Sequence, residues 1–249
     1  QGFSMINDYP VFKRLITLLK GDILFQIRYG FYWLYLFFVL FYAALLSVFP
    51  QNIQIKAAAL LVFTDPAAMG LFFMGSIVLF EKSQRVIESL SVSPVRINEY
   101  IISKAASISI ISLVSALAIA LSVYTDNNSF FSDFIHLALF CTAIILSSLL
   151  FTFAALGCAS ESKSLNQFMI FTIPFEVLLM VPPVLYVFGY TSPFLEFHPG
   201  IVALRMILNN NLFNPPVSIL ILLFWTFLFF LFAYRSVKKM MVCWGGIKL

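Results

Sequence analysis

The chain has 249 residues, of which 61% are hydrophobic and only 10% charged, with 30 phenylalanines and a formal net charge of +4. A soluble domain carries roughly 25% charged residues, so this composition excludes a water-soluble globular protein. Runs of about 20 apolar residues are long enough to cross roughly 30 Å of hydrocarbon. They define an all-α polytopic membrane protein, whereas a transmembrane β-barrel would alternate over segments of about 10 residues.

The first four residues, Gln1–Ser4, read as a protease-site scar and cloning linker ahead of Met5. Residues 5–28 are expected to form an amphipathic connecting helix. Val11, Phe12, Leu15, Ile16, Leu19 and Ile23 share one face, and Lys13, Arg14, Thr17, Lys20 and Gly21 the other. A basic amphipathic helix of this kind lies in the membrane interface. Residues 29–249 are read as a single six-helix transmembrane domain. The six spans are expected at about Tyr29–Phe49, Pro66–Phe80, Ile101–Val123, Phe134–Ala159, Phe168–Phe188 and Val217–Tyr234.

Cytoplasmic segments carry an excess of Lys and Arg. With the N-terminus inside, Lys13, Arg14, Lys20, Arg28, Lys82, Arg85, Arg96, Lys104, Lys163, Arg235, Lys238, Lys239 and Lys248 fall on the cytoplasmic side, against Lys56 and Arg205 outside. Both termini are therefore expected in the cytoplasm. Cys141, Cys158 and Cys243 lie in apolar runs or the inner tail and imply no disulfide framework.

The second span has two readings. It is one kinked helix from Lys56, or it starts with Asp65 as N-cap and Pro66 as the first helical residue, a favoured pairing. The second is preferred, because it keeps a carboxylate out of mid-membrane, where a charge costs on the order of 3 kcal/mol. The span then runs on past Glu81 into a charged loop, residues 81–100, between spans two and three. Glu81 pairs with Arg85 and Arg85 with Glu88 along one helical face in this reading. Ser93 caps, and Pro94 opens, the helix that becomes the third span. Val86, Leu90, Val92 and Val95 give the loop an apolar tip amid charge, which suits a docking surface better than a plain connector.

This loop, "EKSQRVIESLSVSPVRINEYIISK", resembles the intracellular loop of type-2 ABC transporter permeases at Glu81, Lys82, Val86, Ile87, Glu88, Leu90, Val92, Ser93, Pro94, Val95, Glu99, Tyr100, Ile101 and Lys104. The amphipathic helix, "FTDP" before the second span, and the outer segment 189–216 with "SPFLEFHPGIVALRMIL" are similar to further parts of that family. "GDILFQIRYGFYW" resembles its bacterial drug-export branch, including fluoroquinolone-export permeases. The resemblance implies a permease without ATPase activity of its own, and no G-x-x-x-x-G-K-[ST] motif is present. It implies a multi-pass subunit of a bacterial inner or plasma membrane that exports an amphipathic or drug-like substrate. Its partners would be two cytoplasmic ABC ATPase subunits, which carry the ATP and Mg, and a second permease copy or paralogue. No cofactor, metal or nucleic acid is expected on this chain. Glu81, Arg85, Glu88, Ser93, Pro94 and Arg96 are the residues expected to couple to the ATPases.

Glu176 is the sharpest anomaly within a span, flanked by Pro174, Pro182 and Pro183. Intramembrane acids face a cavity or a partner. Glu176 is therefore either a lining residue of the substrate path or a protonated carboxyl bonded to a neighbouring helix. As a lining residue it would favour cationic or zwitterionic molecules. Phe37, Phe38, Phe41, Phe171 and Phe175 are candidates to line an apolar path. Ser112, Ala116 and Ala120 form a small-residue stripe for close helix packing. His136 and His198 are both expected at the outer face and show no metal-ligand spacing. The outer segment is expected to form short helices dipping into the leaflet, anchored by Tyr190, Phe194 and Phe197. A proton-coupled secondary carrier using Glu176 is the alternative, and it usually brings an internal repeat, which this sequence lacks. An intramembrane enzyme would need clustered His, Asp and Glu, which the spans do not supply.

Overall fold

The computed structural model describes residues 11–93, 95–123, 134–190, 192–208 and 214–244. All regular structure among them is helical. In chain order the helices are α1 (Val11–Arg28), α2 (Phe31–Ser47), α3 (Gln51–Ala68), α4 (Met74–Ser83), α5 (Val86–Ser91), α6 (Ile97–Val123), α7 (Phe134–Glu161), α8 (Leu165–Val187), α9 (Pro199–Ile207) and α10 (Pro215–Trp244). A π-helical turn, Met69–Phe73, joins α3 to α4, and a 3-10 turn, Pro193–Phe197, precedes α9.

Five stretches among the described residues are long and apolar enough to cross a membrane: Ile53–Ser83, Ile97–Val123, Phe134–Glu161, Leu165–Val187 and Pro215–Cys243. Helix α2, bent 66° from α1, is the candidate for the sixth. The bend falls at Gly30, whose φ of 78° is left-handed, a conformation that a Cβ disfavours. Helix α7 is the hub: it packs on α10 and α6 most extensively, and also on α3, α4, α8 and α9. Serines line the α6–α7 contact, where Ser148 Oγ lies 3.3 Å from Ser109 Oγ and 3.4 Å from Ser112 Oγ. Ser112, Ala116 and Ala120 of α6 are all buried, as the small-residue stripe predicts.

The second span differs from the preferred reading. It begins at Gln51 and runs through Asp65 and Pro66, so Asp65 caps nothing and Pro66 is internal. Proline removes one helical hydrogen bond, and the π-turn three residues later takes up the irregularity. Gly70, in that turn, lies directly on α7: a Cβ there would meet Phe151 Cβ and Thr152 N at 2.8 Å. Asp65 is buried instead, and its carboxylate accepts a hydrogen bond from Ser115 Oγ of α6. The local capping rule failed because its rival, a partner hydroxyl on another helix, is 50 residues away.

The segment around α9 is packed among the spanning helices rather than lying on the surface of the bundle. Every residue of α9 is buried, held against α3, α7, α8 and α10. Tyr190 and Phe197 are exposed, and Phe194's side chain lies outside the described residues. Helix α8 carries Pro174, Pro182 and Pro183. Pro182 leaves the Leu178 carbonyl without its helical donor, and the His198 ring fills that place with Nε2 at 2.9 Å. Since a carbonyl only accepts, Nε2 carries the proton.

Candidate functional site

The charged loop lies where the end of α4 and the start of α6 meet α1, which runs alongside α6. Residues Arg14, Leu18, Asp22 and Gln26 recur every fourth position of α1 and so share one face. Opposite them, α6 presents Glu99, Ser103 and Ser107. Arg14 Nη2 donates to Glu99 Oε1 at 3.0 Å, and Gln26 Nε2 to Ser107 Oγ at 3.0 Å. Between them, Ser103 Oγ donates to Asp22 Oδ2 at 2.5 Å.

Lys104 is the centre of the cluster. Its Nζ donates to Asp22 Oδ1 at 2.5 Å and to Glu81 Oε1 of α4. Tyr100 Oη donates to the other Glu81 oxygen at 2.8 Å. Two carboxylates and one ammonium, all nearly buried, therefore tie α1, α4 and α6 into one unit. Next door, Lys82 Nζ donates to the Ala159, Ser160 and Ser162 carbonyls at 2.7–2.8 Å. That places a cation at the negative C-terminal end of α7.

The short helix α5 follows α4 and packs on α4 and α10. Helix α4 stops at Ser83, and Arg85 sits at φ 56°, the only left-handed non-glycine among the described residues. The expected continuous helix from Glu81 to Leu90 is therefore broken, and the Glu81–Arg85–Glu88 stripe does not form. Glu81 turns inward to Lys104. Arg85 is exposed and Glu88 half-buried, and both line an open cleft of about 510 Å3 with Lys163 and Ser164 of the α7–α8 turn. Ile87 is fully buried and anchors α5 to the bundle.

The third-span helix opens at Ile97 rather than at Pro94. Glu99 performs the capping, its Oε2 accepting from the Arg96 backbone N–H at 3.0 Å. Ser93 instead closes the preceding turn: its Oγ donates to the Leu90 carbonyl at 2.7 Å and accepts from Val95 N at 3.4 Å. Arg96 is exposed. Pro94 lies outside the described residues.

Sequence reasoning missed three members of this site. Lys104 and Tyr100 enter the sequence reading only as positions of the loop motif and, for Lys104, of the basic bias, and Asp22 is not singled out at all. The four-residue spacing of Arg14, Leu18, Asp22 and Gln26 was the available signal, and Arg14 was assigned to the outward basic face instead.

The path candidates divide into two groups. Phe37 and Phe41 stack on each other along the outer face of α2, with centroids 6.5 Å apart. Phe171 is exposed and Glu176 half-buried on α8, and Glu176 has no side-chain partner among the described residues. Phe175 turns away from both, packing on Phe229 and Phe232 of α10 at 5.8 and 5.4 Å. Helix α2 packs on α1, α3 and α6, while α8 packs on α3, α4, α7 and α9. The two groups are therefore not gathered into one cavity within a single chain.

A bundle of apolar spanning helices, with a charged and internally braced elbow at one end, defines a multi-pass protein of the cell membrane. Residues 13–243 match the fluoroquinolones export permease protein family, and the chain belongs to it. Two fluoroquinolones export permease proteins, from two strains of Mycobacterium tuberculosis, are each 28% identical over 187 residues, covering 75% of this chain and 76% of theirs.

Proposed function

We propose that this chain is the membrane-spanning subunit of an ATP-driven exporter of amphipathic, drug-like molecules, with fluoroquinolones as first candidates, powered by separate cytoplasmic ABC ATPases. The observation that carries this reading is the seating of α5. A short, partly exposed helix follows α4 and packs on α4 and α10, and α4 is itself locked to α1 and α6 by Glu81, Lys104 and Asp22. Force applied to α5 or to the cleft at Arg85 and Glu88 passes into α4 and α10, and from α4 through the Glu81–Lys104–Asp22 cluster into α6 and α1, rather than being lost in a loose loop. The Lys and Arg bias supports a cytoplasmic position for this end, within reach of cytoplasmic ATPases. Arg85, Glu88 and Arg96 meet the ATPase, Ser93 shapes the turn beneath it, and Glu81 braces it from within.

The outward faces of α2, with Phe37 and Phe41, and α8, with Phe171 and Glu176, support a path completed by a second permease copy. The test is ATP-dependent drug uptake into inside-out vesicles holding the permease and its candidate ATPase. Arg85→Ala with Glu88→Ala should abolish ATPase co-purification or cut ATP-dependent uptake at least tenfold, while the permease stays folded. Undiminished uptake would overturn the coupling assignment. Uptake driven by a pH gradient without nucleotide, and lost in Glu176→Gln, would establish the carrier instead.

A further inference from the structure

We propose that the groove between α2 and α6 binds an amphipathic organic cation arriving from the bilayer, with Asp65 of α3 as its counter-charge. The groove has a volume of about 380 Å3, in the range of roughly 300–1,000 Å3 typical of small-molecule sites. Its walls are apolar, and its mouth opens to the outside of the bundle: Trp33 is 74% and Val114 63% exposed. Tyr35 and Ser115 close its inner end, their hydroxyls turned away from the groove into the bundle.

Behind them lies Asp65, 5% exposed. Ser115 Oγ donates to its Oδ2. Tyr35, 6% exposed, keeps its hydroxyl beside the same carboxylate without a regular hydrogen bond. The buried Glu81 and Glu99 and the half-buried Asp22 each hold a Lys or Arg. Asp65 has no such partner among the described residues. An acid at this depth is costly without a counter-charge; the Tyr35 and Ser115 side chains separate it from the groove, so a ligand cation at the groove's inner end lies one side chain away from it. A ligand cation at that end would sit against the Tyr35 and Ser115 side chains, with Asp65 behind them as its counter-charge. The ring of Trp33 would receive the apolar body and attract the cation through its face. A lipid acyl chain or a second copy of this chain could cover the walls, but neither would answer the carboxylate.

This deepens the export reading by naming its substrate class, and it rests on that reading for its purpose. Its test is separate, because binding is measured without nucleotide or ATPase. Tritiated tetraphenylphosphonium is titrated onto the full chain in nanodiscs, with unlabelled cation and uncharged triphenylphosphine oxide as competitors. Saturable binding is expected, displaced by the cation and not by the oxide. Asp65→Asn should weaken it at least tenfold, and Val114→Trp, which fills the groove from an exposed wall, should abolish it. Both variants are checked for unchanged thermal unfolding. If Asp65→Asn does not fold, Val114→Trp decides alone. Undiminished binding in either folded variant overturns the proposal. So does equal displacement by the uncharged oxide, or efficient cross-linking of Trp33→Cys between two copies at the occupied groove. Failure of ATP-driven uptake with intact cation binding would overturn the export reading and leave this site standing.

Discussion

Removing the Lys104 ammonium tests whether the buried charges really brace the elbow. Lys104 serves Asp22 and Glu81 at once, and the three side chains expose only 5%, 14% and 11% of their surface. Lys104→Met leaves two carboxylates buried without a cation. Breaking a buried pair in this way costs about 3–5 kcal/mol. The same principle predicts a rescue. In Asp22→Asn, Glu81→Gln, Lys104→Met no charge remains to be compensated, and the amide oxygens still accept from Ser103 and Tyr100. The triple variant should therefore regain more than half of the loss. Unfolding by dodecyl sulfate titration in mixed micelles, followed by tryptophan fluorescence, measures both. A cost below about 1 kcal/mol, the value of a solvated surface pair, would refute the brace. A triple variant no better than Lys104→Met would refute it too.

Two further substitutions probe the packing that holds the spans. Gly70→Leu must push α7 away, since even a Cβ meets backbone at 2.8 Å, and overpacking of this kind costs about 1–3 kcal/mol in the same titration. His198→Ala removes the donor to the Leu178 carbonyl, which no helical N–H can replace, at a cost of about 1–3 kcal/mol. His198 also predicts a pH dependence. Burial lowers its pKa from the ordinary 6.5, outweighing the Leu178 hydrogen bond that raises it. The unfolded chain then binds the proton more readily than the native one, so stability is full above pH 6.5 and falls as the pH drops below it. Thermal unfolding should show that loss in the wild type and less of it in His198→Ala.

The spans were legible because length and hydropathy are local properties, and a run such as Ile101–Val123 needs no partner to be recognised. Asp65 was not, because the sequence "DP" satisfies a helix-start rule whose rival, Ser115, stands on another helix. The loop's chemistry was legible as charge but not as geometry. Glu81 and Arg85 are four apart on paper, yet a single left-handed residue at Arg85 ends the helix between them. No propensity rule favours that conformation for arginine. The sharing of Lys104 between Asp22 and Glu81 joins three segments far apart in the chain, a relation that no one-dimensional pattern contains.

Asp65 and Glu81 stand on one unbroken span, sixteen residues and so about 24 Å apart at 1.5 Å per residue. Each is pinned to α6, one through Ser115 and the other through Lys104. Between them the π-turn is wound wider than its flanks. Losing the one extra residue of that turn would swing the two halves by about 100° about their common axis. Neither half can turn without parting from its anchor, so the rod behaves as a torsion bar clamped at both ends, and whatever frees one clamp changes the twist felt at the other.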